Sequence, residues 1–416
     1  MHVNVHSDFT SLTPLATNWN ELAGGVPFRR WEWVEAWWRH YSYQENGRPK
    51  RDRELFILTV WDDNEQLVGI APWYRVQTGS SARVIRFLGD GEVCSDYVTI
   101  LCRDGQESTV SEALADWLSI RNQNSTATQS ASGYSLTSNR RHRVAAGDFR
   151  WDRLEFIGVA AADVVVHELL ERLQTAGNIV HYGRTPNAWR VLLPASWEEF
   201  LMILSKPHRN RLRRADKIYF QSGKVQAHQV RTAEEFDKFF AVLIKLHQGR
   251  WQRRGLPGCF ASRPFHAFHR EIAASLFTDG RSTLSWLEMD EKPLAAEYRL
   301  HGDGVMYAYQ CGIDPDRLQV KPGELANMAA IKNAIERGQH AYDFLRGDEP
   351  YKSRWRAVPQ PMLSLRVIPP HRSARLRHSA WVAGQNVKQW IKNGLQTVGQ
   401  WKARSPVPAN AEPQGE

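Results

Sequence analysis

Three strands joined by two short polar turns are the feature that most constrains the fold of this chain. The strand patterns are STLSWLEMD, KPLAAEYRLHG and GVMYAYQCGI, with DEK and GDG at the turns. Turns this short connect neighbouring antiparallel strands. Helices with capping boxes at Ser196/Glu199 and Thr232/Glu235 precede them. The helix PGELANMAAIKNAIERG and the strands AYDFL and MLSLRVI follow, and MLSLRVI is expected to close this sheet.

The remainder of the chain predicts a second unit before this one. At 416 residues the chain exceeds what one hydrophobic core usually supports. Residues 1–194 show a helix over 28–41, paired strand patterns and a helix with Ser111 as its predicted N-cap. We therefore predict domains at 1–194 and 195–370. Within the first, residues 122–148 are predicted to be a flexible polar insertion.

The composition is that of a soluble globular protein, with 42% hydrophobic and 24% charged residues. No run of about 18 apolar residues and no secretory signal pattern is visible, and the four cysteines lack metal-binding spacing. A cytoplasmic protein without a metal is expected. The formal charge of +9 favours an anionic partner.

Several motifs carry a family resemblance. The segments LHQGRW, KPLAAEY, YAYQCGIDPD, KPGELANMAAIKNAIERG and YDFLRGDEPYKSRW resemble the acyltransferase domain of the GNAT superfamily in its tandem, Fem-like form. More narrowly they resemble the CelD/BcsL-like family associated with cellulose biosynthesis. FRRWEWVEAWW, LVGIAPWYR and RFLGDGEVCSDYV resemble its more degenerate partner domain. The resemblance implies an α/β (mixed α+β) fold of two tandem GNAT-like domains, each with a largely antiparallel central sheet flanked by helices.

The resemblance also implies a function. An acyltransferase would move an acyl group from acyl-CoA, or from an acyl carrier protein, to an amine or hydroxyl of a saccharide or envelope precursor, in exopolysaccharide or cellulose biosynthesis. One alternative is a Fem-like transferase that uses aminoacyl-tRNA. Another is a non-catalytic accessory protein of a polysaccharide-synthesis complex, since RLQVKPGELA has only one glycine where the superfamily has an R/Q-x-x-G-x-G/A loop.

Two groups of residues are candidates for binding the donor and for catalysis. In the superfamily the donor lies along the strand that here contains Tyr309, and its pyrophosphate lies at the helix that here begins near Gly323. Glu297 is either a general base or a solvent-facing strand residue. His247 shares a helix face with Arg250 and Trp251, and is either a base or structural.

The segment YDFLRGDEPYKSRW combines charges with aromatic rings. Asp343 is a candidate catalytic residue on the strand. The predicted binding residues that converge at the strand end are Arg346, Asp348, Tyr351, Lys352 and Trp355. Strand ends are where ligand sites of α/β folds collect, so we favour a site here. The alternative is an ion-paired clamp, in which Asp343 or Asp348 pairs with Arg346 or Lys352.

Two basic segments remain. Residues 206–221 form a predicted basic helix that suits an acyl carrier protein, a nucleotide or tRNA, or is merely solvated. Nucleic acid other than tRNA is not expected. Residues 371–404 contain no acidic residue and place apolar side chains at helical spacing. This tail either contacts the inner face of a membrane peripherally or docks on a protein. Residues 405–416 are predicted to be disordered.

Overall fold

The computed structural model of the protein describes residues 1–44, 48–79, 82–123, 149–183 and 185–384. Its strands are β1 (His2–His6), β2 (Arg53–Trp61), β3 (Leu67–Gln77), β4 (Arg83–Phe87), β5 (Leu101–Cys102), β6 (Arg153–Ala160), β7 (Ile179–Gly183), β8 (Ala188–Leu192), β9 (Val225–Gln229), β10 (Ser282–Met289), β11 (Lys292–Gly302), β12 (Val305–Ile313), β13 (Ala341–Arg346), β14 (Val358–Gln360) and β15 (Met362–Ile368). Its helices are α1 (Ala16–Leu22), α2 (Trp31–Tyr41), α3 (Glu107–Gln123), α4 (Val164–Thr175), α5 (Trp197–Ile203), α6 (Lys206–Ala215), α7 (Ala233–Gln252), α8 (Arg263–Thr278), α9 (Pro322–Glu336) and α10 (Tyr351–Arg354).

The strands form two mixed sheets with helices on their faces. The first has the order β1-β2-β3-β4-β6-β15-β7, with β5 also paired to β3, and the second has the order β14-β8-β13-β12-β11-β10-β9. The three central strands β10, β11 and β12 are antiparallel, as the short turns predict. The predicted mixed α+β class, with two helix-flanked sheets, is confirmed.

Two strands, β15 and β8, lie in a different sheet from the one that the sequence predicted for them. β15 pairs with β6 and β7 of the first sheet, so the expectation that MLSLRVI closes the second sheet is wrong. Conversely, β8 comes from the first half of the chain and pairs with β13 of the second sheet. The domain boundary at residue 194 stays a prediction, but strands cross it in both directions. Each sheet is therefore completed by the other half of the sequence.

A shared apolar core joins the two sheets. Helices α2, α7 and α8 lie between them, and residues of both sheets belong to one buried cluster. Trp33 of α2 is at its centre. Its ring centroid is 5.0 Å from that of Phe268 and 5.4 Å from that of Tyr309, both in edge-on geometry. Separate cores lie under α3 and α4 on one side and under α5, α6 and α9 on the other.

Most helix ends follow the sequence signals. Thr232 and Glu235 form a complete capping box at α7, and Pro322 occupies the first turn of α9. The predicted cap at Ser111 is wrong, because α3 already begins at Glu107. The Ser111 hydroxyl instead donates a hydrogen bond of 2.9 Å to the carbonyl of Val165. The basic helix α6 continues as a π-helical turn over Asp216–Phe220.

The start of the basic tail contacts its own protein. Residues 372–384 are helical, and the Arg366 guanidinium lies 3.6 Å from the ring centroid of Trp381. Arg377 also bonds Asp152. For residues up to 384 this contact matches the alternative in which the tail docks on a protein. Residues 385–416 and 124–148 lie outside the described residues, and so do the predictions made for them. No helix in the described ranges is long and apolar enough to span a membrane.

Gly312 allows α7 to pack directly on β12. A Cβ at this position would lie 2.7 Å from the backbone nitrogen of His247 and 2.8 Å from the Cβ of Leu246. We expect Gly312→Ala to lower the free energy of unfolding by about 1–3 kcal/mol, since backbone cannot yield as a side chain does. Gly249→Ala, within α7, is the matched control. Its Cβ would meet only Pro315 at 4.0 Å, so urea unfolding should show equal or higher stability. Equal losses in both variants would contradict the packing argument.

Candidate active site

The central strands of the second sheet separate at one end. β12 and β13 are parallel and pair only where Val305–Tyr307 meet Ala341–Asp343. Beyond these pairs β12 runs on to Ile313 and β13 to Arg346 without pairing to each other. Such a divergence opens a wedge in the sheet, and it removes hydrogen-bond partners from the facing backbone groups.

A bulge bends β12 at the start of this wedge. Its register against β11 shifts so that Tyr309 is the extra residue. The Tyr309 hydroxyl donates to the carbonyl of Val93 at 2.7 Å and lies 2.9 Å from Nε2 of His269. Burial lowers the pKa of His269, so the ring is neutral and donates from Nε2 to the hydroxyl oxygen. Tyr309 thus links β12 to Val93 of the first half of the chain and to α8, and its hydroxyl is not available to an acyl donor.

Charged side chains replace the lost strand partners of β13. The Asp343 carboxylate accepts from the backbone N–H of Leu345 at 2.7 Å, and the Lys352 ammonium donates to the carbonyls of Leu345 and Gly347 at 3.0 and 2.9 Å. Asp96 accepts from the N–H of Arg346. Leu345 itself is held in the left-handed region, with φ of 56°. These bonds fix the backbone turn that ends β13.

The same charges are paired across the two halves of the chain. Asp343 is fully buried, and its carboxylate lies 2.8 Å from Nε of Arg190 and 2.6 Å from the hydroxyl of Tyr97. Arg346 pairs with Asp96 at 2.9 Å. Burial raises the pKa of Asp96 to about 6 despite this partner. The contacts of Asp343, Arg346 and Lys352 are those of an ion-paired clamp, although its partners Arg190 and Asp96 are not the ones predicted.

The remaining residues of the segment do not converge on one point. Trp355 is 2% exposed and packs in the core beside Phe200 and His208, so the prediction that it forms a wall of a site is wrong. Asp348 is exposed and accepts hydrogen bonds from the side chains of Asn187 and Trp189. Tyr351 is the aromatic residue of this segment that stays accessible, 41% exposed beside the wedge.

Glu297 is buried on β11 next to the wedge. It is 8% exposed, so the alternative of a solvent-facing strand position is wrong. Its carboxylate accepts no hydrogen bond from a described residue, and its nearest charged neighbour is Nε of Arg299 at 3.8 Å. Burial raises the pKa of Glu297, and Arg299 opposes the rise. A carboxylate with a raised pKa and no fixed partner is suited to accept a proton.

Cys311 is a neighbour of Glu297 that the sequence did not mark. The two residues are directly opposite on β12 and β11, so their side chains share a face of the sheet. Cys311 is exposed, yet the surrounding protein raises the pKa of its thiol to about 11, with Glu297 contributing to the rise. Tyr351 is part of the same environment, because burial, Cys311 and Glu297 all raise its pKa. Cys311 could have been identified from the register of β11 and β12, which places it opposite Glu297.

His247 and Trp251 form a pair at the end of α7. The indole N–H of Trp251 donates to Nε2 of His247 at 3.0 Å, and Nδ1 of His247 lies 3.2 Å from the amide oxygen of Gln248. The ring proton is therefore on Nδ1, and burial lowers the pKa of His247. Since the Nε2 electron pair is already taken, the geometry fits the structural alternative for His247. Arg250 follows on the same helix, and its positive charge partly offsets the rise in the pKa of the Cys311 thiol that burial causes.

The first turn of α9 has the backbone features of an anion site. A Cβ at Gly323 would meet only Ile313, at 4.0 Å, so a ligand can approach the backbone there. The acidic Glu324 that follows is neutralised by Arg211 of α6 at 2.8 Å. The turn therefore offers a pyrophosphate the backbone of Gly323, whereas Pro322 has no N–H, the N–H of Glu324 donates to the carbonyl of Lys321 at 2.9 Å, and the glycine-rich loop is absent. In the described ranges no group of three His, Cys, Asp or Glu side chains could hold a metal ion.

Comparisons with known proteins agree with this geometry. Residues 206–353 match a family described as an acetyltransferase (GNAT) domain, a range that includes Glu297, Cys311 and Gly323. The chain contains a GNAT-type acetyltransferase domain. Such a domain implies acyl-CoA as the donor substrate. No curated protein matches the sequence.

Several solved structures are similar to this chain at low identity, and FemX among them supports the fold. The crystal structure of FemX is 11% identical, with 84% of this chain and 95% of that chain covered and a TM-score of 0.54. The C-terminal domain of a putative lysylphosphatidylglycerol synthetase from Agrobacterium fabrum is 9% identical over 88% and 96% of the two chains, with a TM-score of 0.46. A tandem GNAT protein from the clavulanic acid biosynthesis pathway is 9% identical over 89% and 99%, with a TM-score of 0.44. The predicted GNAT and Fem-like resemblance is confirmed at the level of the fold, while the CelD/BcsL-like assignment stays a prediction.

Proposed function

We propose that this protein transfers an acyl group from acyl-CoA to an amine or hydroxyl of a saccharide or envelope precursor, with Glu297 as the general base. The observation that carries the transfer chemistry is the buried carboxylate of Glu297 at the open end of the sheet, which has a raised pKa and, among the described residues, only the ion-pair neighbour Arg299 at 3.8 Å and no hydrogen-bonded partner. The saccharide acceptor and the link to exopolysaccharide synthesis rest on the family resemblance of the motifs alone.

The chemistry needs one proton acceptor. The acceptor nitrogen or oxygen attacks the thioester carbonyl, its proton passes to Glu297, and the carbon–sulfur bond breaks to release the thiol, which takes up a proton. A carboxylate with a raised pKa is a stronger base than an ordinary glutamate and is therefore better matched to neutral pH. Cys311 does not compete as a nucleophile, because its raised pKa keeps the thiol protonated.

The donor would bind along the wedge. Gly323 offers a close approach to the first turn of α9, and Lys321 is exposed beside it. The helix dipole favours the pyrophosphate there. The clamp of Asp343 and Lys352 contributes indirectly, because it holds β13 apart from β12 and so keeps the wedge open.

Thermal unfolding with a panel of donors tests the proposal. Coenzyme A or acetyl-CoA at 100 times its dissociation constant is expected to stabilise the fold by about 2.7 kcal/mol. Gly323→Ala should reduce this shift while leaving the unliganded melting temperature nearly unchanged, since the new Cβ has room. An acyl carrier protein and aminoacyl-tRNA complete the panel. A shift with aminoacyl-tRNA alone would favour the Fem-like alternative, and no shift with any donor would favour a non-catalytic accessory protein.

A further inference from the structure

A cavity of about 340 Å³ lies between the second sheet and α9. Its floor is formed by β9, β10 and β11, and its roof by the second half of α9 and the π-helical turn. The residues that line it include Phe220, Leu287, Arg299, Met328, Lys332 and Asn333. The volume is that of a small-molecule site.

A buried guanidinium is the main polar feature of this cavity. Arg299 is 3% exposed, and one of its terminal nitrogens donates to the hydroxyl of Ser285 at 2.6 Å. Its Nε is buried without a hydrogen-bond partner in the described residues. The carboxylate of Glu297 forms an ion pair with it at 3.8 Å, beyond hydrogen-bond distance, and its other terminal nitrogen lies 3.8 Å from the sulfur of Met306. The charge therefore has a counter-ion, but the guanidinium keeps N–H groups without a strong acceptor, and a ligand carboxylate would supply one.

The other polar groups of the lining define the ligand further. The amide oxygen of Asn333 is buried and has no partner in the described residues, so it is free to accept a hydrogen bond. Lys332 is bonded to Asp216 at 2.6 Å and is already neutralised. Glu336 and Arg231 line the cavity as well, and their opposite charges offset each other. One net negative charge and one hydrogen-bond donor therefore suit the site.

The apolar walls of the cavity favour an organic carboxylate over inorganic phosphate or sulfate. Leu287 and Met328 are buried beside Arg299, and Phe220 covers the cavity from the π-helical turn. Inorganic phosphate or sulfate would leave these walls without contact. A carboxylate on a short carbon chain places its charge on the guanidinium and its methylene groups against the walls.

We propose that this cavity binds a small organic monocarboxylate through Arg299, with a hydroxyl or amino group of the ligand donating to Asn333 and its carbon chain packed on Leu287 and Met328. The proposal concerns binding alone. It requires neither an acyl donor nor catalysis by Glu297, so it stands or falls separately from the proposed function.

Titration calorimetry of the full chain without any acyl donor tests this site. The probes are 3-hydroxybutyrate, butyrate and inorganic phosphate. We expect 3-hydroxybutyrate to bind, and butyrate to bind about tenfold more weakly because it cannot donate to Asn333. Inorganic phosphate should give no saturable heat. No saturable heat with 3-hydroxybutyrate, or tighter binding of phosphate, would overturn the proposal.

Variants locate the binding. Ala329→Phe fills the cavity from α9 and should abolish binding of 3-hydroxybutyrate, whereas Lys217→Met removes an exposed charge from the nearby π-helical turn and should leave it unchanged. If Ala329→Phe does not fold, Asn333→Leu is the alternative variant. Asn333→Leu should lower the affinity for 3-hydroxybutyrate to that for butyrate. Unchanged affinity in a folded Ala329→Phe or Asn333→Leu protein would place the binding elsewhere and refute the assignment.

Discussion

Glu297→Gln is expected to lower the rate of acyl transfer by a factor of about 10² to 10⁴, the usual contribution of a general base. Glutamine keeps the size of the side chain but cannot take the proton of the acceptor. Release of coenzyme A with a fixed donor and acceptor measures the effect. In the wild-type enzyme the rate should rise with pH through the raised pKa of Glu297, and this rise should be missing from the variant.

Measurements of stability distinguish the loss of the general base from damage to the fold. Because the folded-state pKa of Glu297 lies above its ordinary value of 4.5, the protonated carboxyl group favours the native state below that value, and this contribution is lost as the pH rises through the folded pKa and the group ionises. Glu297→Gln should therefore be at least as stable as wild type at neutral pH and should lose this advantage toward pH 4. Glu291→Gln, in the exposed β10–β11 turn, is the control. A Glu297→Gln enzyme within threefold of wild type would exclude this residue as the base.

Asp343→Ala is expected to lower the free energy of unfolding by about 3–5 kcal/mol. The substitution removes one member of a buried ion pair and leaves the guanidinium of Arg190 and the N–H of Leu345 without their acceptor. It also releases the turn that holds β13 apart from β12. Urea unfolding followed by circular dichroism measures the loss.

Two neighbours calibrate this prediction. Asp348→Ala alters an exposed carboxylate five residues away, and a change within about 0.5 kcal/mol is expected. Lys352→Met should destabilise the fold, because the ammonium satisfies two backbone carbonyls. If Lys352→Met and Asp343→Ala instead melted like wild type and lost only donor binding, the cluster would be a binding site and the clamp would be the wrong description.

The sequence predicted local structure well where the signal is local. The capping box at Thr232 and the start of α9 at Pro322 depend on side chains within one helical turn. The three central strands followed from their apolar patterns and short turns. The Ser111 prediction failed because α3 begins at Glu107, so Ser111 lies inside the helix, where its hydroxyl donates to the carbonyl of Val165.

The candidate site was predicted less well, because its residues act through partners that are remote in sequence. Asp343 is 153 residues from Arg190, and Arg346 is 250 residues from Asp96. A segment rich in charges and aromatic rings looks the same whether it binds a ligand or satisfies backbone groups in a splayed sheet. Cys311 escaped notice because its position opposite Glu297 depends on the register that the bulge at Tyr309 sets.

The sequence alone determined the class of fold, the order of the three central strands with the helices on either side of them, and the acyltransferase resemblance, since these depend on periodicity, turn length and motif. Tertiary structure alone decided which sheet received β8 and β15, that Asp343 and Lys352 brace the backbone, and that Glu297 is buried. The physical reason is that alternation fixes the face a side chain takes but not the neighbour of its strand. Likewise, the role of a charged side chain depends on the groups that the folded structure places beside it.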